Sequence, residues 1–179
     1  AHKPVLNENS TYPADAPYEI EEPEISKAIY STLTGDPHYY RIQSDVDFDF
    51  YAGILAAKIG ECALERKFSF EVLDSEFHNI DVADGENFKW TPWYEENGKQ
   101  WYWNGPEIGK NFLSDRIYKA GTYYIKVFNS NNTGQYIMAV GDIEKFSFTD
   151  IIGLIFSLGD IEDEFWDPNL CGLSLQESS

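Results

Sequence analysis

Basic residues are scarce in this chain: 13 lysines and arginines stand against 31 aspartates and glutamates, a formal net charge of −18 at pH 7. So negative a surface repels phosphate backbones and anionic headgroups, which excludes nucleic-acid binding as a function class. It suits divalent cations, basic partners or plain solubility, and composition does not choose among them. Histidine is nearly missing, with only His2, His38 and His78, and no G-x-S-x-G elbow, H-E-x-x-H pair or phosphate-binding glycine loop occurs. Carboxylate pairs that could serve a glycosidase arise by chance among so many acids and carry no signal. The chain therefore reads as non-catalytic. No basic and apolar leader precedes Ala1-His2-Lys3-Pro4, so the expectation is an exported chain whose signal peptide has been removed. Two cysteines, Cys62 and Cys171, lack metal-type spacing. They are either two thiols or one bridge tying the C-terminal tail to the body, and both readings stay open.

What the chain has is aromatic bulk: twelve Phe, twelve Tyr and five Trp in 179 residues, enough to offset the entropy of ordering one domain. Residues 1–24 carry four prolines and six acids with little periodic pattern, and read as an extended leader along the domain surface. From Ile25 the period is two. Val46, Phe48 and Phe50 alternate with Asp45, Asp47 and Asp49. Phe68, Phe70 and Val72 point inward with Ser69 and Glu71 outward. Ser26 to Leu33 and His38 to Gln43 supply further strands about the turn Thr34-Gly35-Asp36-Pro37. Thr122 to Phe128 and Gln135 to Val140, around an Asn/Gly loop, predict a hairpin. Short strands with frequent turns predict an all-β, antiparallel β-sandwich over 25–148 with an aromatic insertion at 84–117. Thr149 or Asp150 would cap a short apolar helix to Leu158, about ten residues and too short for a bilayer. The chain then continues to Ser179 as an acidic solvated tail or stalk, so 149–179 forms the third segment.

Gly121-Thr122-Tyr123-Tyr124-Ile125-Lys126-Val127 and Gly134-Gln135-Tyr136-Ile137-Met138-Ala139-Val140-Gly141 resemble the closing strands of bacterial and archaeal pre-peptidase C-terminal (PPC-like) domains. Tyr39-Tyr40-Arg41-Ile42 with the Asp45 to Tyr51 strand resembles an earlier signature of that family, so the likeness covers roughly 25–145. It implies a compact jelly-roll or PPC-like sandwich on secreted or surface-anchored proteins, generally non-catalytic, sometimes calcium-binding and sometimes adhesive. The aromatic stretch from Asp84 to Ile117 departs from that pattern. The opening Ala1-His2-Lys3-Pro4 is similar to mature starts of archaeal and bacterial surface ectodomains, which implies a membrane-proximal segment at Ile151 to Trp166 and an anchor beyond the C-terminus.

Three constellations are candidate sites. Trp90, Trp93, Tyr94, Trp101 and Trp103 offer flat rings for stacking on sugar faces, with Glu95, Glu96, Asn97 and Asn104 to bond hydroxyls. The competing reading is a minicore in which Trp90, Trp101 and Trp103 cover one sheet. Asp81, Asp84 and Glu86 near Gly85 are candidate calcium ligands, against a solvated acidic loop. The series Asp45, Asp47, Asp49 fails as an EF-hand because Phe50 and Ala56 stand where glycine and glutamate are needed. The Ala1 amine with His2 could chelate copper(II) in a square plane, unless these residues are an expression remnant. Sequons at Asn9-Ser10-Thr11 and Asn131-Asn132-Thr133 fit export. The expected function is a non-catalytic extracellular or cell-surface binding or adhesion module for a glycan or protein. The alternatives are a carbohydrate-binding module using the Trp-rich insertion, or a filament or surface-layer subunit self-assembling through the leader.

Overall fold

The computed structural model describes residues 3–7, 11–96, 98–144, 161 and 163–171. In chain order the strands are β1 (Lys3–Asn7), β2 (Tyr18–Glu19), β3 (Lys27–Thr34), β4 (His38–Ser44), β5 (Phe48–Phe50), β6 (Ala52–Ala57) and β7 (Ser69–Leu73). They continue as β8 (Asn79–Ala83), β9 (Thr91–Glu95), β10 (Gln100–Ile108), β11 (Arg116–Tyr118), β12 (Gly121–Phe128) and β13 (Thr133–Val140). A six-stranded sheet in the order β1-β3-β13-β6-β10-β9 faces a five-stranded sheet in the order β2-β4-β12-β7-β8, and β5 pairs with β11. The chain is thus an all-β sandwich. Its interior is filled by Ile29, Tyr40, Phe50, Ile54, Phe70 and Ile125 with their neighbours, each worth roughly 1.5–3 kcal/mol of burial.

The predicted hairpin at 121–140 is instead an arch. β12 pairs with β4 and β7, while β13 lies in the opposite sheet between β3 and β6. The connection is closed by Asn129, a buried residue whose side chain bonds the main chain of Thr133 at the far end of the loop. Its amide donates to the Thr133 carbonyl at 2.6 Å and its oxygen accepts from the Thr133 N–H at 3.1 Å. The connection from β3 to β4 crosses between sheets in the same way, and the two arches are joined where Gly35 N–H donates to Asn132 O at 2.7 Å. Gly35 sits at φ 122°, a conformation closed to side chains with a Cβ.

The leader does not merely lie on the surface. β1 and β2 add to sheet edges as parallel strands, and Tyr12 and Ile20 are buried in the core. The stretch 84–117 is no loop insertion either, since β9 and β10 lie within it and β11 begins there. Val46 is 66% exposed although Phe48 and Phe50 are buried, because the strand begins only at Phe48. Ser69 is buried rather than outward, and its hydroxyl accepts the Gly85 N–H at 2.9 Å.

Both faces of the six-stranded sheet are covered. Tyr136, Met138 and Val140 face the sandwich, while Ile137 and Ala139 face outward into a second cluster with Tyr30, Leu55 and Tyr102. Ile161 and Phe165, each 1% exposed, pack on that outer face. Residues 161, 163–165 and 168–171 are helical, so this part of the expected solvated tail is core instead. The helix expected at 149–158 lies outside the described residues. Among the described residues no helix is long and apolar enough to cross a membrane. Cys62 and Cys171 form a disulfide across a separation of 109 residues, with Cα atoms 6.0 Å apart, which resolves the two readings in favour of the bridge. Replacing both cysteines by serine is expected to lower stability by about 4 kcal/mol through the lost constraint on the unfolded chain, measured as a shift in the denaturant midpoint.

A polar cluster sits inside the sandwich. His38 Nδ1 and the Tyr136 hydroxyl share a hydrogen bond at 2.8 Å, and the Tyr136 and Tyr40 hydroxyls are bonded to each other. Tyr12 closes over the cluster, its ring centroid 5.1 Å from that of His38. Burial lowers the His38 pKa from 6.5 to about 4. The unfolded chain regains the ordinary value and binds a proton that the folded chain refuses. The contribution of His38 to stability is therefore full above pH 6.5 and is lost as the pH falls toward 4, by about 3 kcal/mol at most. A His38→Gln variant is expected to show a shallower loss over that window in urea titrations, whatever its stability at neutral pH.

Candidate functional site

β9 and β10 form an antiparallel ribbon at one edge of the six-stranded sheet, with Tyr94 opposite Trp101, Trp93 opposite Tyr102 and Pro92 opposite Trp103. Because side chains alternate, Tyr94, Trp101 and Trp103 share one face and Trp93 takes the other with Tyr102. The five aromatic candidates therefore separate. Trp90 is core: its indole N–H donates to Gly85 O at 2.9 Å, and its ring lies where a Cβ on Gly105 would approach to 2.4 Å. Trp93 is half-buried on the outer face, with ring centroids 5.5 Å from Tyr102 and 5.2 Å from Phe112. The expected minicore thus accounts for Trp90, and a second cluster accounts for Trp93.

Tyr94 and Trp101 remain at the surface, 41% and 48% exposed, with ring centroids 5.2 Å apart. Trp103 continues the row inward and packs against the core. The Lys58 ammonium lies 5.8 Å from the Trp101 ring centroid and 5.6 Å from that of Trp103, and it donates to Gly60 O at 2.5 Å. A cation at this distance from a ring face is attracted by the ring quadrupole. The Trp101 carbonyl accepts the Trp166 indole N–H at 2.8 Å, which ties the ribbon to the C-terminal segment. Glu95 accepts the Gly98 N–H at 2.5 Å and so closes the turn of the ribbon. Lys58 had no signal in the sequence, because it follows β6 and reaches the tryptophans only through the pairing of β6 with β10.

The acidic candidates do not converge. Asp81 accepts the Tyr118 hydroxyl at 2.5 Å and lies 3.8 Å from the Arg116 guanidinium. Burial first, and then this carboxylate, push the Tyr118 phenol well above its ordinary pKa. Asp84 binds the Asn87 side-chain amide at 2.7 Å and the Glu86 N–H at 2.9 Å. These bonds, the Asn87 amide foremost, hold its carboxyl below the usual range. Glu86 is exposed. Among the described residues, no three His, Cys, Asp or Glu side chains are grouped to hold a metal ion. His2, the copper candidate, lies outside the described residues.

No family model matches the chain, and no curated protein does. Among solved structures, it is similar to the pre-peptidase C-terminal domain of a collagenase from Bacillus anthracis, at 13% identity and a TM-score of 0.38. That similarity covers 74% of this chain and 97% of the other. The motifs between Gly121 and Gly141 resemble the same domain type in sequence.

With the Asp81 carboxylate engaged by Arg116 and Tyr118, EDTA or added calcium is expected to leave the melting midpoint unchanged; a calcium-dependent rise that Asp84→Asn abolishes would restore the loop as a site.

Proposed function

We propose that this chain is a non-catalytic extracellular binding module that takes a carbohydrate on the aromatic row of β9 and β10. The observation that carries this reading is the pair Tyr94 and Trp101, two large rings left open on one face of an edge ribbon while the neighbouring aromatics are packed away. A pyranose presents an apolar face and polar edges. The exposed rings of Tyr94 and Trp101, tilted 50° to each other, offer apolar faces to the first, and the nearby Lys58 ammonium, which already donates to Gly60 O, has further N–H groups for the second. A disulfide between distant parts of the chain supports an oxidising, extracellular setting.

Support for a non-catalytic role comes from where proton affinities are perturbed. Among the described residues, the groups displaced furthest are buried tyrosines. The Tyr51 phenol, pushed up by burial and by Glu107, donates to that carboxylate at 2.6 Å, and Tyr40 is pushed up by burial and by Tyr136. These are interior hydrogen bonds, not acids or bases poised near neutrality in a cleft.

Intrinsic tryptophan fluorescence titrated with a glycan panel tests the reading. A bound saccharide is expected to shift the emission of the exposed Trp101, and Trp101→Ala is expected to weaken binding about tenfold or more with little change in melting temperature. An unchanged spectrum across the panel would remove the carbohydrate reading.

A further inference from the structure

The six-stranded sheet divides between β6 and β13. These strands pair from Leu55 opposite Ile137 to Ala52 opposite Val140. Their outer ladders run further: Ala56 and Ala57 pair with Trp103 and Tyr102, and Gly134 and Gln135 pair with Leu33 and Thr32. Beyond Leu55 and Ile137 the two strands part, each held by its other neighbour. A cavity of about 280 Å³ is lined by Ala56 and Ala57 on one side of this fork and Gly134 and Gln135 on the other, with Trp103 in its wall. Cys62 and Cys171, the disulfide pair, and Phe165 line it as well.

The chemistry of the fork is mixed. Where paired strands separate, main-chain N–H and C=O groups along their facing edges turn toward the gap. Gln135, Arg66 and Glu65 add planar side-chain groups to the lining, and Trp103 adds a ring. A purely apolar guest would strand the main-chain edges and the Gln135 amide without partners, at a cost for each. A sugar residue, with hydroxyls around an apolar face, uses both parts. The volume is at the small end of ligand pockets and suits a single ring better than a chain passing through. Trp103 also belongs to the surface row, since Lys58 lies over both its ring and that of Trp101. The row therefore leads into the fork.

We infer that the fork is the terminal subsite of a glycan-binding groove: it encloses the end residue of a saccharide, while Trp101 and Tyr94 stack the residues that follow. This inference rests on the carbohydrate reading of the aromatic row. It adds that the protein recognises chain ends and that Gln135 contributes to specificity.

The test titrates the full chain, by calorimetry and by tryptophan fluorescence, with glucose, galactose, mannose and N-acetylglucosamine and with β-linked trimers and hexamers of each. Affinity is expected to rise from monomer to trimer and then to level, because only the end and its near neighbours are held. Gln135→Ala, and Ala63→Phe at the exposed cavity rim, are each expected to weaken monomer and hexamer alike by about tenfold. Trp101→Ala is expected to weaken the oligomers and leave the monomer unaffected. Hexamer binding equal to wild type in Gln135→Ala and Ala63→Phe, or affinity still climbing from trimer to hexamer, overturns the fork while leaving the row in place. Oligomer binding that ignores Trp101→Ala but follows Gln135→Ala overturns the row and upholds the fork. No binding by any of these sugars overturns both. Melting curves of each variant confirm that losses come from the site and not from unfolding.

Discussion

β6 and β13 carry apolar side chains on both of their faces, so the six-stranded sheet has to be covered twice, and the arrangement of the rest follows from that requirement. One cover is the five-stranded sheet. The other is the C-terminal segment, whose Ile161 and Phe165 fill the outer cluster and whose Cys171 is bonded to Cys62. Strands buried on both sides read as unbroken apolar runs, as Ala52-Gly53-Ile54-Leu55-Ala56-Ala57 does here. The bridge limits how far the outer cover can move away. It also places Cys171 and Phe165 in the wall of the cavity where β6 and β13 part.

The second constraint is polar. The sandwich interior holds His38, Tyr40 and Tyr136 in one hydrogen-bonded cluster, roofed by Tyr12 from the leader. A cluster of this kind is costly when incomplete and specific when satisfied. The leader is accordingly part of the fold: Tyr12 O accepts the Tyr39 N–H and the Ile20 N–H donates to Arg41 O. A comparable economy holds at Glu107, which accepts the Tyr51 phenol and the Asn111 N–H and so fixes the turn after β10.

Much of the sandwich is legible in the sequence because its signal is local. Phe68, Phe70 and Val72, or Ile125 and Val127, alternate with polar residues, and that alternation follows from the two-residue period of a strand. The arch at Asn129 was not legible, since an Asn/Gly-rich loop between two strands is the same string whether the strands pair with each other or cross between sheets. The aromatic row was half legible. A dense group of tryptophans announces a site or a core, and strand parity divides this one into buried and exposed rings, in a register that no single strand reveals. Lys58 and Gln135 could not be found at all, because they meet Trp103 only through sheet pairing and around a cavity.

The sequence by itself determined the class of the fold and the absence of catalytic motifs, since these depend on short-range period and on which residues stand at which spacing. Only the tertiary structure decided which tryptophans are buried, that the C-terminal segment covers a sheet, that the two cysteines meet and that the sheet forks beside Trp103. Each of these depends on contacts between residues far apart in the chain, where pairing register and packing, not local preference, set which side chain faces solvent.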